Sequence, residues 1–229
     1  TKTCTQNPTG LALGTTNLAN HTYSWTPSTG LTNTNTYNPT ANPAVTTTYT
    51  LILTDNDNGC SATDDIEVIV DTELPTAFAG PDLLSSCTSN TNGAQIGMTP
   101  ISGVTYSWTP SSGLDDPNIA NPTATPTSTT TYELTATDQT SGCTATSTMV
   151  FTYDFTVPAV DAGADFTKTC ASNQNPNGAV IGFSAVPGMN YAWTPTNGLN
   201  NSLAASALAN PFVTTTYTLT ATNPTSGCT

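Results

Sequence analysis

Tyr23-Ser24-Trp25-Thr26-Pro27 is the stretch that decides the fold, because it recurs as Tyr106-Ser107-Trp108-Thr109-Pro110 and as Tyr191-Ala192-Trp193-Thr194-Pro195. Tyr and Trp are two residues apart in each copy, so both rings point to one face of an extended strand. The Pro that follows cannot donate a ladder hydrogen bond and ends the strand. Three copies of one core strand predict a tandem array of three small domains.

A second aromatic strand follows each copy at constant spacing. Tyr49, Tyr132 and Tyr217 each lie 24 residues after the Trp, and each begins a Tyr-x-Leu alternation that is typical of a strand with one buried face. We therefore expect nine rings to anchor the three cores: Tyr23, Trp25, Tyr49, Tyr106, Trp108, Tyr132, Tyr191, Trp193 and Tyr217.

Composition favours an all-β fold and excludes several partners. Of the 229 residues only 7% are charged, and the abundance of Thr, Asn, Gly and Pro favours short strands and turns. The net charge is −13 and the two cations are Lys2 and Lys168, so the chain cannot neutralise a phosphate backbone or an anionic membrane surface. No apolar run is long enough to predict a transmembrane helix in this sequence.

The six cysteines occur at two positions of the repeat. Cys4, Cys87 and Cys170 are 83 residues apart, and each is followed after 56 or 58 residues by Cys60, Cys143 and Cys228. We expect one disulfide per domain, namely Cys4–Cys60, Cys87–Cys143 and Cys170–Cys228, each stabilising its domain by roughly 4 kcal/mol. Structural disulfides indicate an oxidising, extracellular location.

Proline marks the boundaries between the repeats. Leu74-Pro75 and Val157-Pro158 predict domains at residues 1–74, 75–157 and 158–229, and the Ala-Gly-x-Asp stretches at 79–82 and 162–165 are expected to open the first strand of the following domain. About seven short strands, a buried Trp on a central strand and one disulfide describe an immunoglobulin-like β-sandwich.

The repeated motifs also resemble a known family. Ala-Gly-x-Asp, Tyr-Ser-Trp-Thr-Pro-x-x-Gly-Leu, Asn-Pro-Thr-Ala and Thr-Thr-Thr-Tyr-x-Leu-Thr-Ala-Thr-Asp look like the PKD-like or Ig-like repeats of very large Bacteroidota surface proteins, such as gliding-motility adhesins and other products of the type IX secretion system. The resemblance covers the whole chain. It implies a secreted, surface-attached stalk or filament, and it carries over no catalytic residue.

Acidic residues cluster where the repeats meet. Carboxylates from two domains could converge on a calcium ion, and the alternative is that they accept backbone N–H bonds in turns. Asp55 and Asp57 resemble the start of a calcium loop, but the equivalent positions in the other repeats favour a hairpin turn. The candidate calcium ligands at the junctions are Asp71, Glu73, Asp82, Asp154, Asp161 and Asp165.

No catalytic constellation is evident. His21 is the one histidine in the sequence, and its counterparts are Val104 and Met189, so we expect it to be a solvated residue beside a strand. The leading hypothesis is a non-enzymatic structural segment whose partners are neighbouring repeats or subunits of the same protein. The alternative is a carbohydrate-binding or spacer module of a secreted hydrolase, which would need an exposed aromatic platform for surface glycans; Phe78, Phe155 and Phe166 are the candidates.

The first and third repeats are shorter than the second. The first lacks the Ala-Gly-x-Asp stretch and the third lacks the counterpart of 145–153. We expect the sequence to be part of a longer chain with further repeats, and the alternative is that neighbouring subunits donate the missing strands.

Overall fold

The computed structural model describes residues 1–14, 16–169, 171–172 and 177–229. All regular secondary structure in these residues is β, which confirms the all-β class. None of the described residues forms a helix of the length and hydropathy needed to cross a membrane.

Seven strands lie in the described residues of the first repeat. In chain order they are β1 (Lys2–Thr3), β2 (Leu11–Ala12), β3 (His21–Thr26), β4 (Thr40–Ala41), β5 (Thr47–Asp55), β6 (Ser61–Val68) and β7 (Val70–Asp71). Strands β3, β5 and β6 form an antiparallel sheet in that order, β2 pairs with β4, and β1 pairs with β7 in parallel. The Tyr-x-Trp strand β3 ends at Thr26, immediately before Pro27, as the Pro predicts.

The second repeat has the same plan with longer strands. Its elements are β8 (Leu83–Ser86), β9 (Ala94–Gln95), β10 (Val104–Thr109), β11 (Thr123–Ala124), β12 (Thr130–Asp138) and β13 (Thr144–Asp154). One sheet has the order β10-β12-β13-β8, and β11 pairs with β9. Strand β13 is continuous where the first repeat has β6 and β7, and β8 runs parallel to its second half.

The third repeat has four strands among the described residues: β14 (Ala179–Gly182), β15 (Asn190–Thr194), β16 (Ser206–Ala209) and β17 (Thr218–Thr222). Strand β15 pairs with β17 and β14 pairs with β16, both antiparallel. These pairs repeat β10–β12 and β9–β11.

Each repeat has its own hydrophobic core. The residues of the three clusters come from within the first, second and third repeat respectively. Every Trp indole N–H donates to a carbonyl of the following loop at 2.9 Å, from Trp25 to Thr36, Trp108 to Ile119 and Trp193 to Ala204. Eight of the nine expected anchor rings are buried and Tyr217 is half-buried.

The later tyrosine of each repeat combines burial with one hydrogen bond. The hydroxyl groups of Tyr49, Tyr132 and Tyr217 donate to backbone carbonyls 20 residues earlier, at 2.8, 2.9 and 2.6 Å. Burial raises the pKa of all three above the usual tyrosine value, because the phenolate would lose solvation.

The Ala-Gly-x-Asp stretch is not a strand, which corrects one prediction. Strand β8 begins only at Leu83. The N–H of Ala79 donates to Ser147 Oγ, its carbonyl accepts from the N–H of Gly97, and its side chain is fully buried. Pro81 has no N–H to give to a ladder, and Pro81 and Asp82 are exposed, so only Ala79 of this stretch is anchored in the core.

Candidate functional site

The disulfides join successive repeats, and the pairing expected within each repeat is wrong. Cys4 is bonded to Cys143 and Cys87 is bonded to Cys228, with Cα–Cα distances of 5.0 and 5.1 Å. Cys60 is an exposed free thiol. Cys170, which was expected to pair with Cys228, lies outside the described residues.

The strand directions explain why the expected pairs cannot form. Strand β8 runs parallel to the second half of β13, so Cys87 follows the carboxyl end of that strand. Cys143 precedes its amino end. Eleven strand residues separate the two ends by about 35 Å, whereas a disulfide needs Cα atoms within about 7 Å. The same parallel pairing of β1 with β7 separates Cys4 from Cys60.

The acceptor side of each junction is the hairpin turn before the last strand. In the second repeat, the N–H of Asp138 donates to the carbonyl of Cys143 at 2.9 Å, and the N–H of Gly142 donates to the carbonyl of Asp138 at 2.9 Å. Asp138 Oδ1 accepts from the N–H groups of Thr140 and Ser141 at 2.8 Å. We call residues 138–143 and their counterparts 55–60 and 223–228 the acceptor turns.

The three acceptor turns have the same backbone bonds. The N–H of Asp55 donates to the carbonyl of Cys60 and that of Asn223 to the carbonyl of Cys228, both at 2.9 Å. Asp55 and Asn223 also accept bonds from the N–H two residues later. Asx-type hydrogen bonding therefore explains the Asp55-Asn56-Asp57 motif, in agreement with the hairpin interpretation.

The donor side of each junction is a tight turn around the first cysteine. Thr3 Oγ1 accepts from the N–H groups of Thr5 and Gln6 at 3.2 and 2.9 Å, and the N–H of Thr3 donates to the carbonyl of Gln6. Ser86 and Thr169 make the corresponding bonds in the second and third repeats. We call residues 3–6 and 86–89 the donor turns, and Thr169 with Ala171 and Ser172 is what the structure describes of their counterpart in the third repeat.

Besides the disulfide, one hydrogen bond and one close contact join the two turns. Thr5 Oγ1 donates to the carbonyl of Ser141 at 3.2 Å, and Thr88 Oγ1 donates to the carbonyl of Ser226 at 3.3 Å. The Thr5 side chain lies against Gly142 and the Thr88 side chain against Gly227. Neither threonine is predicted as a contact residue by the sequence, although Ser-Gly-Cys recurs at 141–143 and 226–228 where the first repeat has Asn58-Gly59-Cys60.

Docking of the donor turn buries the end of the acceptor turn, at residues 141–143 and 226–228. Ser141, Cys143, Ser226 and Cys228 are inaccessible, whereas residues 56–60 of the first repeat are all exposed. Because the three turns share their internal bonds, the difference comes from the contact with the preceding repeat. The first repeat therefore presents an uncovered acceptor turn.

Two carboxyl groups have lowered pKa values. Hydrogen bonds from the backbone of Ser141 and Thr140 hold the pKa of Asp138 below the ordinary aspartate value. A hydrogen bond from the backbone of Thr123 does the same for Asp115. When ionised, Asp138 therefore stabilises its hairpin turn and Asp115 stabilises the contact with the start of β11.

Three of the expected calcium ligands accept backbone N–H bonds, two of them from a residue two positions later and one from strand β13. Asp82 accepts from the N–H of Val150 at 2.7 Å, Asp154 from Thr156 at 3.1 Å and Asp161 from Gly163 at 2.8 Å. Within the described ranges, no three or more His, Cys, Asp or Glu side chains are grouped as metal ligands. Asp71, Glu73 and Asp165 belong to no such group in the described ranges, and calcium at the junctions stays a prediction.

The histidine and the two lysines have local roles. His21 Nδ1 lies 2.7 Å from the carbonyl oxygen of Ala19, beside strand β3. Lys2 Nζ donates to the carbonyl of Pro43 at 2.8 Å, and Lys168 Nζ donates to the carbonyl of Pro211 at 3.2 Å and to Asn210 Oδ1. Each lysine side chain therefore binds the proline-containing segment of its own repeat, at Pro43 or at Pro211.

Comparisons with known proteins give only distant likenesses. No family model and no curated protein matches the chain. The chain is similar to extracellular cadherin domains 1–4 of protocadherin gamma B7, at 11% identity over 82% of this chain and 58% of that chain, with a TM-score of 0.40. It thus spans less than two thirds of that structure.

Two further solved structures show the range of these likenesses. Three N-terminal domains of the bacteriophage RB49 outer capsid protein Hoc match at 14% identity over 87% of this chain and 77% of that chain, with a TM-score of 0.31. An endo-fucoidan hydrolase of glycoside hydrolase family 107, MfFcnA4_H294Q, matches at 15% identity over 60% of this chain and 24% of that chain, with a TM-score of 0.23. Scores this low assign neither family nor function.

Proposed function

We propose that the chain is a non-enzymatic structural segment of an extracellular surface adhesin or filament, a stalk whose repeats are covalently braced against bending and pulling. Each repeat is an immunoglobulin-like domain, with boundaries at 1–74, 75–157 and 158–229. The observation that carries the proposal is that Cys4–Cys143 and Cys87–Cys228 each bridge two successive repeats. Every such junction has two covalent connections, the linker and the disulfide.

A second connection beside the linker changes the mechanics of the junction. A flexible single linker leaves two domains free to reorient, whereas a second bond at the same junction restricts bending and twisting. The Thr5–Ser141 hydrogen bond and the Thr5–Gly142 contact also hold the donor turn in one position on the acceptor turn. Such a junction suits a protein that transmits force away from a surface.

An extracellular location supports the same function. Disulfides persist in oxidising compartments and are rare in the cytosol. A net charge of −13 keeps the chains soluble and apart from one another. The resemblance of the repeats to Bacteroidota surface proteins agrees with a secreted stalk, and we propose the same origin for this chain.

The uncovered acceptor turn of the first repeat supports a further repeat as the partner of such a stalk. Cys60 has the turn geometry of Cys143 and Cys228, which receive the donor turn of another repeat. We infer that Cys60 bonds in the same way to the first cysteine of a further repeat. Two thiols lose two electrons and two protons in this step, and a disulfide oxidant such as oxidised glutathione accepts them.

The alternative function, carbohydrate binding, is not favoured by the burial of the aromatic residues. Sugar stacking needs exposed rings, and eight of the nine repeated rings lie in the cores. Phe78 is exposed and Phe166 packs partly against the core of the third repeat. They do not form a repeated platform.

Single-molecule stretching between Thr1 and Thr229 tests the proposed function. With both disulfides intact, the load runs from Cys4 to Cys143, back along the chain to Cys87 and across to Cys228. About 60 residues then carry the load, so the fully unfolded molecule extends to about 200 Å, against about 800 Å after reduction. A molecule that extends to the reduced length under oxidising conditions would contradict the load-bearing function.

Two cysteine variants make this experiment specific. Cys143→Ser opens one bridge and should lengthen the maximal extension to about 300 Å, since about 87 residues then carry the load. Cys60→Ser is the matched control and should leave it at about 200 Å. An unchanged extension for Cys143→Ser would show that the bridge does not bear load.

A further inference from the structure

A pair of residues accompanies both bridges between repeats. In each bridge, threonine follows the donor cysteine and serine lies two residues before the acceptor cysteine: Thr5 with Ser141, and Thr88 with Ser226. The acceptor turn of the first repeat has Asn58 in place of the serine, and the third repeat has Ala171 in place of the threonine. The two positions therefore vary among turns that share their backbone hydrogen bonds.

The serine position is completely enclosed in a docked junction. The N–H of Ser141 donates to Asp138 Oδ1 at 2.8 Å, its Oγ accepts from the N–H of Cys143 at 3.3 Å, and its carbonyl accepts from Thr5 Oγ1 at 3.2 Å. Ser141 and Ser226 are both inaccessible. A longer side chain at such a closely packed position has to displace a neighbour. The size of this residue therefore limits which donor turn can dock.

Asn58 shows that the acceptor turn itself tolerates a longer residue. Its Oδ1 accepts from the N–H of Cys60 at 2.8 Å, as the serine hydroxyl does in the other two turns. Its Nδ2 donates to Asp55 Oδ2 at 2.9 Å, and the backbone bond from Asp55 to Cys60 is kept. The side chain is exposed, because no donor turn covers it. Asparagine therefore burdens docking and not the fold of the turn.

The threonine of the donor turn contributes to docking in the same selective way. Thr5 Oγ1 bonds to the carbonyl of Ser141, and Thr5 Oγ1 and Cγ2 are the atoms closest to the Cβ position of Gly142. In the third repeat, Thr169 Oγ1 accepts from the N–H of Ala171 at 3.2 Å, the distance of the same bond to Thr5. Alanine thus keeps this turn bond and lacks both atoms that reach an acceptor turn.

We propose that these two positions, the residue after the donor cysteine and the residue two before the acceptor cysteine, decide which donor turn an acceptor turn receives. Threonine docks on a turn that carries serine. Asparagine at the serine position rejects a threonine donor and accepts an alanine donor, whose side chain leaves space at the contact. Specificity then comes from one favourable hydrogen bond and from one steric conflict. The inference rests on the proposed function, since it concerns which repeats brace one another.

Two substitutions that copy residues of the same chain test the proposal. The 229-residue chain is equilibrated with reduced and oxidised glutathione, alkylated and mapped by mass spectrometry. Thr5→Ala should lower the equilibrium constant for the Cys4–Cys143 bridge about fivefold, the effect of one hydrogen bond. Ser141→Asn should lower it by about tenfold or more through overpacking.

The second bridge of the same molecules is the internal control. Cys87–Cys228 contains neither substituted residue, so its equilibrium constant should not change. An unchanged Cys4–Cys143 equilibrium in both variants would overturn the inference alone. A parent chain without the Cys4–Cys143 bridge would contradict the proposed function as well, so the two failures are distinguishable.

The double variant, Thr5→Ala with Ser141→Asn, shows whether the two residues act as a pair. Independent effects would multiply to a loss of about fiftyfold. The inference predicts that the double variant forms the Cys4–Cys143 bridge more readily than Ser141→Asn alone, because alanine opens space for the asparagine. A multiplied loss would overturn the pairing of the two positions.

Hydrogen exchange in the reduced chain separates docking from folding of the turn. The amide of Asp138, which donates to the carbonyl of Cys143 at 2.9 Å, should be equally protected in the parent and in Ser141→Asn. Asp55 makes the same bond in a turn that carries asparagine. Loss of protection in Ser141→Asn would place its effect in the turn and overturn the inference.

Discussion

Thr5 rests on Gly142 of the next repeat so closely that a Cβ atom at Gly142 would lie 2.5 Å from the Thr5 Oγ1 and Cγ2 atoms. The glycine also has a φ of +69°, which an L side chain rarely adopts. The absence of a side chain at this position is therefore what lets the donor turn reach Cys143. Gly227 is placed in the same way against Thr88.

Gly142→Ala should weaken the junction more than it weakens the turn. Gly59 is the matched control, because it has a φ of +74° but no atom within 4 Å of the Cβ it would gain. Both substitutions cost about 1–2 kcal/mol of backbone strain. Gly142→Ala alone should slow formation of the Cys4–Cys143 disulfide during oxidative refolding, followed by mass spectrometry. Equal rates for the two variants would show that the contact between Thr5 and Gly142 does not position the donor turn for disulfide formation.

Trp108→Ala should destabilise the second repeat by about 3–5 kcal/mol. The ring is 2% exposed, and its indole N–H donates to the carbonyl of Ile119 at 2.9 Å. Trp108→Phe keeps most of the side-chain volume and loses the hydrogen bond, so it should lower the free energy of unfolding by less than Trp108→Ala does. Chemical denaturation measures both, and a loss below 1 kcal/mol for the alanine variant would place the ring outside the core.

Acid should loosen the acceptor turn of the second repeat, and Asp138→Asn should abolish this sensitivity. The pKa of Asp138 is lowered in the folded chain, so its contribution to stability is present above the ordinary aspartate value of 3.8 and is lost as the pH falls through the folded pKa. Asn223 makes the same turn without a charge. The amide shifts of Thr140 and Ser141 should titrate below pH 3.8 in the parent and not in the variant. If the amide signals titrate in both the parent and the Asp138→Asn variant, a group other than Asp138 causes the change.

The strands and their buried faces could be predicted from the sequence, since they depend on local alternation. Tyr106 and Trp108 lie two residues apart and are both buried. Alternation was less informative at the ends of the last strands, where Ile66 and Tyr153 are exposed at 40% and 37% although Val68 and Phe151 are buried. Those ends depend on neighbours that a periodic pattern does not describe.

The disulfide pairing could not be predicted, because a periodic chain has several equally regular pairings. Cys4 to Cys60 and Cys4 to Cys143 differ by one repeat length, so constant spacing is compatible with either. The decisive fact is that β8 runs parallel to β13, which places Cys87 and Cys143 at opposite ends of the repeat. The relative direction of two strands in a sheet depends on the tertiary fold, so it cannot be inferred from the spacing of the cysteines.

Cys60 should react with iodoacetamide in the unreduced 229-residue chain on its own, in the absence of a further repeat whose first cysteine could bond to it. Its thiol is exposed in an acceptor turn that no donor turn covers, whereas Cys143 and Cys228 are bonded and inaccessible. One carbamidomethyl group should therefore appear on the peptide that contains Cys60, and none on the peptides that contain Cys143 or Cys228. Cys60→Ser is the control for assigning the label. Modification of Cys143 or Cys228 without reduction would contradict the bonded junctions.

Peptide mapping of the unreduced chain, alkylated first to prevent exchange, tests the central claim most directly. Digestion should release one linked pair containing Cys4 and Cys143 and another containing Cys87 and Cys228, and reduction should dissociate both. These pairs would establish that each bridge crosses a junction between repeats. Recovery of Cys4 linked to Cys60 and of Cys87 linked to Cys143 would contradict the account, because every repeat would then be closed on itself and the junctions would have only their linkers.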